Sequence, residues 1–256
     1  MGPMVIDLNA DVGESYGAWV MGADADLMPM ITSANVACGA HAGDPITMSR
    51  TVALAMRHRV AVGAHPGYPD RDGFGRRDLA MTSEELEATV LTQMGALWAV
   101  ARAAGVEMRH VKPHGALYNR AAADPDLAAC VARAVARFPE RLTLVGLAGS
   151  TLVAAGLAAG LPVADEAFAD RAYEPDGSLR ARALTGAVHT DPSVAAAQAV
   201  SIARDGRVRA HDGSMLEIRA DTICIHGDTP GAAAMAKAVR EALEAAGIEV
   251  RALTCA

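Results

Sequence analysis

Val5-Ile6-Asp7-Leu8-Asn9-Ala10-Asp11-Val12-Gly13-Glu14 reads as a strand that runs without a break into a knot of carboxylates and glycine. Successive side chains of a strand point to opposite faces, so Asp7, Asn9 and Asp11 share one face and Ile6 and Leu8 the other. Three further stretches repeat the arrangement: Gly63-Ala64-His65-Pro66-Gly67-Tyr68-Pro69-Asp70, Lys112-Pro113-His114-Gly115-Ala116-Leu117-Tyr118-Asn119 and His226-Gly227-Asp228-Thr229-Pro230. The same parity sets Gly63 and His65 against Val62, Lys112 and His114 against Val111, and Cys224, His226 and Asp228 against Ile223 and Ile225. The carboxyl ends of parallel strands converge on one face of a sheet, so chemistry concentrated there implies an α/β enzyme.

Outward from these knots, strands are predicted at Val5–Asn9, Ile31–Val36, Val60–Ala64, Met108–Lys112, Leu142–Leu147, Leu161–Asp165, Thr222–His226 and Glu249–Leu253, with helical patterns between them. Such alternation predicts a parallel sheet, closed on itself. Thr82 or Ser83 caps a helix with Glu84 and Glu85 in its first turn, ending near Ala104 before Gly105. Asp124-Pro125 and Asp191-Pro192 open two more, and a terminal helix follows Pro230-Gly231 to about Gly247. Between Ala167 and Leu184 the pattern weakens into a charged loop, either a lid or a solvated connection.

The 256 residues, 52% hydrophobic, suit one domain spanning 1–256. Twenty-three basic against thirty acidic residues leave a net charge of −7 with no basic block, which argues against nucleic-acid binding. Cys38, Cys130, Cys224 and Cys255 form no CxxC pair, so a disulfide framework and a thiolate zinc site are not expected, and a reducing cytoplasm fits. The amino terminus shows no export or lipidation signal. Leu142 to Ala164 carries no charge and is long enough to span a bilayer, but it divides into strand, small-residue turn, alanine-rich helix to Ala159, Gly160 and a second strand. No membrane association is expected. Neither a P-loop, a GxGxxG after the first strand nor a GxSxG elbow is present.

Each polar group has a bland alternative. Asp11-Val12-Gly13-Glu14 also suits a turn and helix cap, whereas a carboxylate within a strand, as at Asp7, is costly unless paired. His41, after Asn35-Val36-Ala37-Cys38-Gly39-Ala40, and His65 are each either satisfied core histidines or, with an aspartate, candidates for a divalent metal or acid/base chemistry. Lys112 either pairs with an acid or offers its charge to a phosphate or oxyanion, and His114 is placed to move a proton. Phe74-Gly75-Arg76-Arg77 can hold an anion or be a surface loop. His58, His110, His189 and His211 read as structural.

These motifs, together with Asn35 to Asp44, Gly73 to Arg77 and Glu166-Ala167-Phe168-Ala169-Asp170-Arg171, resemble the LamB/YcsF family of bacterial 5-oxoprolinase A subunits, over about Val5 to Leu253. The resemblance implies an irregular seven-stranded parallel β/α barrel like those of the glycoside hydrolase/deacetylase superfamily. It further implies ATP-dependent opening of 5-oxoproline to L-glutamate in a complex with B and C subunits, with Mg2+ accompanying ATP. On that reading Asp7 or Asp11 activates water, His41, His65 and His114 transfer protons, and Lys112 stabilises phosphate or oxyanion. Asn9, Glu14, Asn35, Arg76, Asn119, Glu166, Arg171, His226 and Asp228 would bind substrate, nucleotide or magnesium. Two other readings stay open: a metal-dependent amide or sugar deacetylase with Asp7 or Asp11, His41 and His65 as ligands, and a non-catalytic subunit that binds 5-oxoproline.

Overall fold

The fold, taken from a computed structural model, is described for residues 4–227 and 231–253; Asp228 and Cys255 lie outside the described residues. In chain order the strands are β1 (Val5–Val12), β2 (Ser33–Ala37), β3 (Ala61–His65), β4 (Met108–Val111), β5 (Thr143–Leu147), β6 (Val163–Phe168), β7 (Arg207–Arg209), β8 (Met215–Glu217), β9 (Thr222–Ile225) and β10 (Glu249–Val250). The helices are α1 (Asp24–Leu27), α2 (Pro45–His58), α3 (Ser83–Ala103), α4 (Gly115–Ala123), α5 (Pro125–Ala136), α6 (Thr151–Ala158), α7 (Pro192–Val200) and α8 (Ala232–Ala245).

Seven strands close a parallel barrel in the order β1-β2-β3-β4-β5-β6-β9, with β9 pairing back to β1. β10 adds to the start of β1, where Val5 and Ile6 pair with Glu249 and Val250. Register aligns Asp11 with Asn35, Ala37 with His65 and Asn9 with Cys224, so the polar positions of adjacent strands fall in layers. On β1 the parity is complete: Ile6, Leu8, Ala10 and Val12 join the hydrophobic core, while Asp7, Asn9 and Asp11 are buried on the opposite side among polar partners.

The helix punctuation follows the chemistry of the caps. Thr82 and Glu85 form a reciprocal capping box, and Asp124 and Asp191 accept from the backbone N–H groups just inside α5 and α7. Asp44 caps α2 in the same way by accepting from Ile46 and Thr47. Residues 142–164 form β5, α6 and the start of β6, and none of the helices among the described residues is long and apolar enough to cross a membrane.

The structure differs from the sequence reading most between 167 and 217. β6 continues to Phe168, and Asp170, Arg171, Ala172 and Tyr173 are buried instead of forming a solvated loop. Tyr173 anchors the segment: its hydroxyl accepts from the Phe168 N–H at 2.8 Å, and its backbone bridges to Leu179 and Ala210. The antiparallel β7–β8 hairpin was not expected, because three-residue strands carry too little alternation to register as periodic.

Gly63 marks the tightest point of the barrel interior, where an added Cβ would lie 2.2 Å from the His110 ring. Gly95, in α3, has nothing within 4 Å of that position. Gly63→Ala is expected to cost about 2 kcal/mol or more by overpacking, whereas Gly95→Ala gains roughly 0.5–1 kcal/mol from helix propensity. Urea unfolding of both variants checks this pair, and equal midpoints would show that His110 does not fill the space beside Gly63.

Candidate active site

A cavity of about 260 Å³ opens at the carboxyl ends of the strands, lined by Asp11, Glu14, His65, Lys112, His114 and His226 among others. Four strands and the loops after them supply these groups: β1 brings Asp11 and then Glu14, β3 ends on His65, β4 leads into Lys112 and His114, and β9 into His226. The strand-end knots therefore meet.

Lys112 is the centre of the charge network. It is 2% exposed, and its Nζ lies 2.8 Å from Glu166 Oε1, 3.1 Å from Asp11 Oδ1 and 3.3 Å from Asn9 Oδ1. Phe168 presents its ring face at 5.3 Å. Burial works against the ammonium, but Asp11 and Glu166 hold its pKa well above the ordinary lysine value, so it stays charged. Burial likewise works against the Asp11 carboxylate, but His65 and Lys112 keep its pKa well below the usual range. Asn35 braces the acidic side by donating to Asn9 Oδ1 at 2.7 Å and Asp11 Oδ1 at 2.9 Å, and its own carbonyl accepts from His110 Nε2 at 2.8 Å.

Asp7 lies deeper. Its carboxylate accepts hydroxyl hydrogen bonds from Thr32, Ser33 and Thr222, and it does not line the cavity. Burial raises its pKa against those three bonds. Asn9 occupies the next layer, donating to Glu166 Oε1 at 2.9 Å and Thr222 Oγ1 at 2.7 Å. Asp7 and Asn9 are thus supports beneath the cavity floor, in contact with protein groups.

Three histidines cluster beside Asp11 and Glu14, and two of them, His65 and His114, line the cavity. His65 Nδ1 is 2.7 Å from the Lys112 carbonyl oxygen, and its Nε2 is 3.3 Å from Asp11 Oδ2. His114 Nε2 is 2.8 Å from the Phe74 carbonyl oxygen. The His41 ring stacks on that of His114 with centroids 3.8 Å apart and planes at 1°. Burial, together with neighbouring imidazoles, holds both His41 and His114 well below the ordinary histidine pKa, so both are neutral near pH 7.

His226 completes the opposite wall. Its Nδ1 lies 3.0 Å from both Asp170 carboxylate oxygens, and its backbone N–H donates to Oδ2 at 3.1 Å. A carboxylate only accepts, so Nδ1 carries the hydrogen donated to Asp170, and Nε2 is the ring nitrogen left for a substrate. Burial works to raise the Asp170 pKa, but His226 holds it below its ordinary value. Asp170 is absent from the candidate site residues, although it lies within the Glu166 to Arg171 stretch that carries the family resemblance.

The outer edge is cationic. Arg76, Arg171, Arg180 and Arg182 line the cavity, with Arg171 buried and donating from Nε to the Ala187 carbonyl oxygen at 3.2 Å. Burial and then Arg182 push the Arg171 pKa down to about 10, still well above neutrality. Arg77, by contrast, is bound to Asp70 and serves the turn. Asn119 is exposed on the cavity wall, and Asp228 lies outside the described residues.

The family model for LamB/YcsF matches residues 6–256. The chain belongs to the LamB/YcsF family. Among curated relatives, the 5-oxoprolinase A subunit of Chloroflexus aggregans is 61% identical, over 96% of this chain and 98% of its own length. The protein of the same name from Pyrococcus furiosus is 49% identical, over 96% and 97%. The crystal structure of the lactam utilization protein from Thermus thermophilus superposes with a TM-score of 0.93 at 50% identity, covering 98% of this LamB/YcsF chain and all of that one. A T48 deacetylase, at 16% identity and a TM-score of 0.50 over 97% of this chain and 87% of its own, shares the barrel fold.

Removing one partner of a buried ion pair strands the other, at a cost of about 3–5 kcal/mol. Lys112→Met is expected to lose that much in urea unfolding, and Lys112→Met with Glu166→Gln to lose clearly less than the two single changes combined. Additive losses would show that the 2.8 Å contact does not couple them.

Proposed function

We propose that this chain is the A subunit of an ATP-dependent 5-oxoprolinase and that the strand-end cavity opens the lactam ring of 5-oxoproline to give L-glutamate. One observation carries the proposal: a cavity of small-metabolite size holds a fixed ammonium, Lys112, facing imidazoles whose tautomers are set from behind. The near-full-length similarity to 5-oxoprolinase A subunits supplies the substrate.

A five-membered lactam is a weak electrophile that closes again readily. Transfer of the γ-phosphoryl group of ATP to the amide oxygen activates the ring carbon, with magnesium accompanying the nucleotide. Water then adds to that carbon, the bond to the ring nitrogen breaks, and the nitrogen leaves as an amine after taking a proton. The γ-glutamyl phosphate so formed is hydrolysed by a second water, giving glutamate and phosphate. The balance is one ATP and two waters consumed for each ADP, phosphate and glutamate.

The residues present suit these steps. Lys112 offers positive charge to the amide oxygen or the phosphoryl group as negative charge develops there. His226, with Nδ1 fixed by Asp170, presents Nε2 to take a proton from the attacking water and to return it to the ring nitrogen. Asp11, ionised between His65 and Lys112, supplies the negative charge that holds the ammonium in place. Arg171 and Arg182 at the rim are placed to receive the substrate carboxylate. Partner B and C subunits complete the enzyme on this reading, since the relatives are named as one lettered component of a larger assembly.

The test is a 5-oxoproline-dependent assay of ADP release and glutamate formation, run on the chain alone and with its partner subunits. The expected result is one ADP per glutamate in the assembled enzyme, and a loss of roughly 10²–10⁴-fold in turnover for His226→Ala with assembly intact. No glutamate in any combination would overturn the proposal, and unchanged turnover of the variant would remove His226 from proton transfer. Release of acetate from acetylated amides or sugars would favour a deacetylase instead. Retention of turnover at saturation with only weakened affinity in the variant would favour a purely binding role.

A further inference from the structure

The tautomers of two rim histidines are fixed by carbonyl oxygens, and the consequence reaches beyond acid/base chemistry. Lys112 and Phe74 carbonyl oxygens accept from His65 Nδ1 at 2.7 Å and His114 Nε2 at 2.8 Å, so those nitrogens carry the hydrogens. In neutral rings His65 Nε2 and His114 Nδ1 are then bare lone pairs, yet they face each other at 2.9 Å. Two lone pairs at that separation repel. A positive species must sit between or beside them, either a shared proton or a metal ion.

Two more observations decide between these. His41 is buried, and neither of its ring nitrogens has a hydrogen-bond partner among the described residues, a loss worth about 1–3 kcal/mol if nothing else compensates it. Glu14 Oε1 lies 3.8 Å from His114 Nδ1 and 4.0 Å from His41 Nε2. A shared proton settles the contact between His65 and His114 but leaves His41 as it stands. An ion accounts for all four residues, because one donor atom from each of Glu14, His41, His65 and His114 lies within 4.8 Å of the others.

We propose that Glu14, His41, His65 and His114 bind a divalent transition-metal ion of the zinc class. Three imidazoles and one carboxylate form a donor set suited to zinc and its neighbours in the first transition row, and poorly suited to magnesium or calcium, which take oxygen. The Lys112 and Phe74 carbonyls orient two of the rings in the manner of groups behind metal-bound histidines. Gly67 and Gly75 leave room for the rings, since a Cβ at either would meet His41 at 2.7 or 2.8 Å. The ion would supply Lewis-acid chemistry at the cavity rim. The inference rests on these donor atoms and not on the identity of the substrate.

The test uses the full chain, stripped by a chelator and titrated with Zn2+ by calorimetry and with Co2+ by visible absorption. One ion per chain is expected, with the Co2+ spectrum of a low-coordinate nitrogen-rich site and a rise in the unfolding midpoint on metal addition. His41→Ala and Glu14→Gln should each weaken binding at least ~10-fold, while His58→Ala, on the exposed end of α2, should leave it unchanged. Binding equally tight in His41→Ala would overturn the assignment. So would failure of the wild-type chain to take up either ion, with ¹⁵N NMR showing His65 and His114 sharing one proton; this arm needs no variant to fold. Either result bears on the metal alone, because glutamate formation is read separately.

Discussion

An ammonium buried inside a β-barrel constrains everything around it. Lys112 sits at 2% exposure, where an unpaired charge would cost several kcal/mol, so the neighbouring strands must bring oxygen atoms to it. Glu166 comes from β6, and Asp11 and Asn9 from β1, which places partners from both sides of the barrel on one nitrogen. Asn35 and His110 then hold those partners in turn. Pairing keeps Asp11 ionised beside His65 at neutral pH, and the backbone carbonyl of Lys112 itself fixes the tautomer of that histidine. One buried charge thereby sets the floor of the cavity, its electrostatics and the orientation of a rim histidine.

The cavity is divided by charge. Glu14 and Asp11 stand on the side of the three clustered histidines, where Arg76 also lies over Phe74, while Arg171, Arg180 and Arg182 line the cavity from the segment that follows Asp170, the partner of His226. An anionic substrate entering from the arginine side would present its far end to Lys112 and the imidazoles. This polarity suits a small molecule that has a carboxylate at one end and a reacting amide at the other, as 5-oxoproline has. Phe168 joins the two halves by stacking on His226 while facing the Lys112 ammonium.

Much of this geometry was legible from strand parity. Asp7, Asn9 and Asp11 do alternate with core residues, and His65, Lys112, His114 and His226 do converge, because the period of a strand fixes the face of each side chain. Parity says nothing about depth, which is why Asp7 looked equivalent to Asp11 although hydroxyls of Thr32, Ser33 and Thr222 enclose it two layers down. Asp170 was hidden for another reason. The charged composition after Ala169 reads as solvent-exposed, and only the tertiary contacts of Tyr173 bury that segment and bring Asp170 to His226. The tautomers of His65 and His114 were out of reach as well, since they depend on carbonyl oxygens contributed by Lys112 and by Phe74, forty residues away from His114.

The central claim is that 5-oxoproline occupies the space between Lys112, His65 and His226. The most direct check is NMR of the histidine ring resonances during titration of the chain with 5-oxoproline. The account predicts saturable shifts at His65, His114 and His226, and none at His58, which lies on the exposed end of α2. Saturable binding that leaves His65 and His226 unmoved would place the substrate elsewhere and contradict the account.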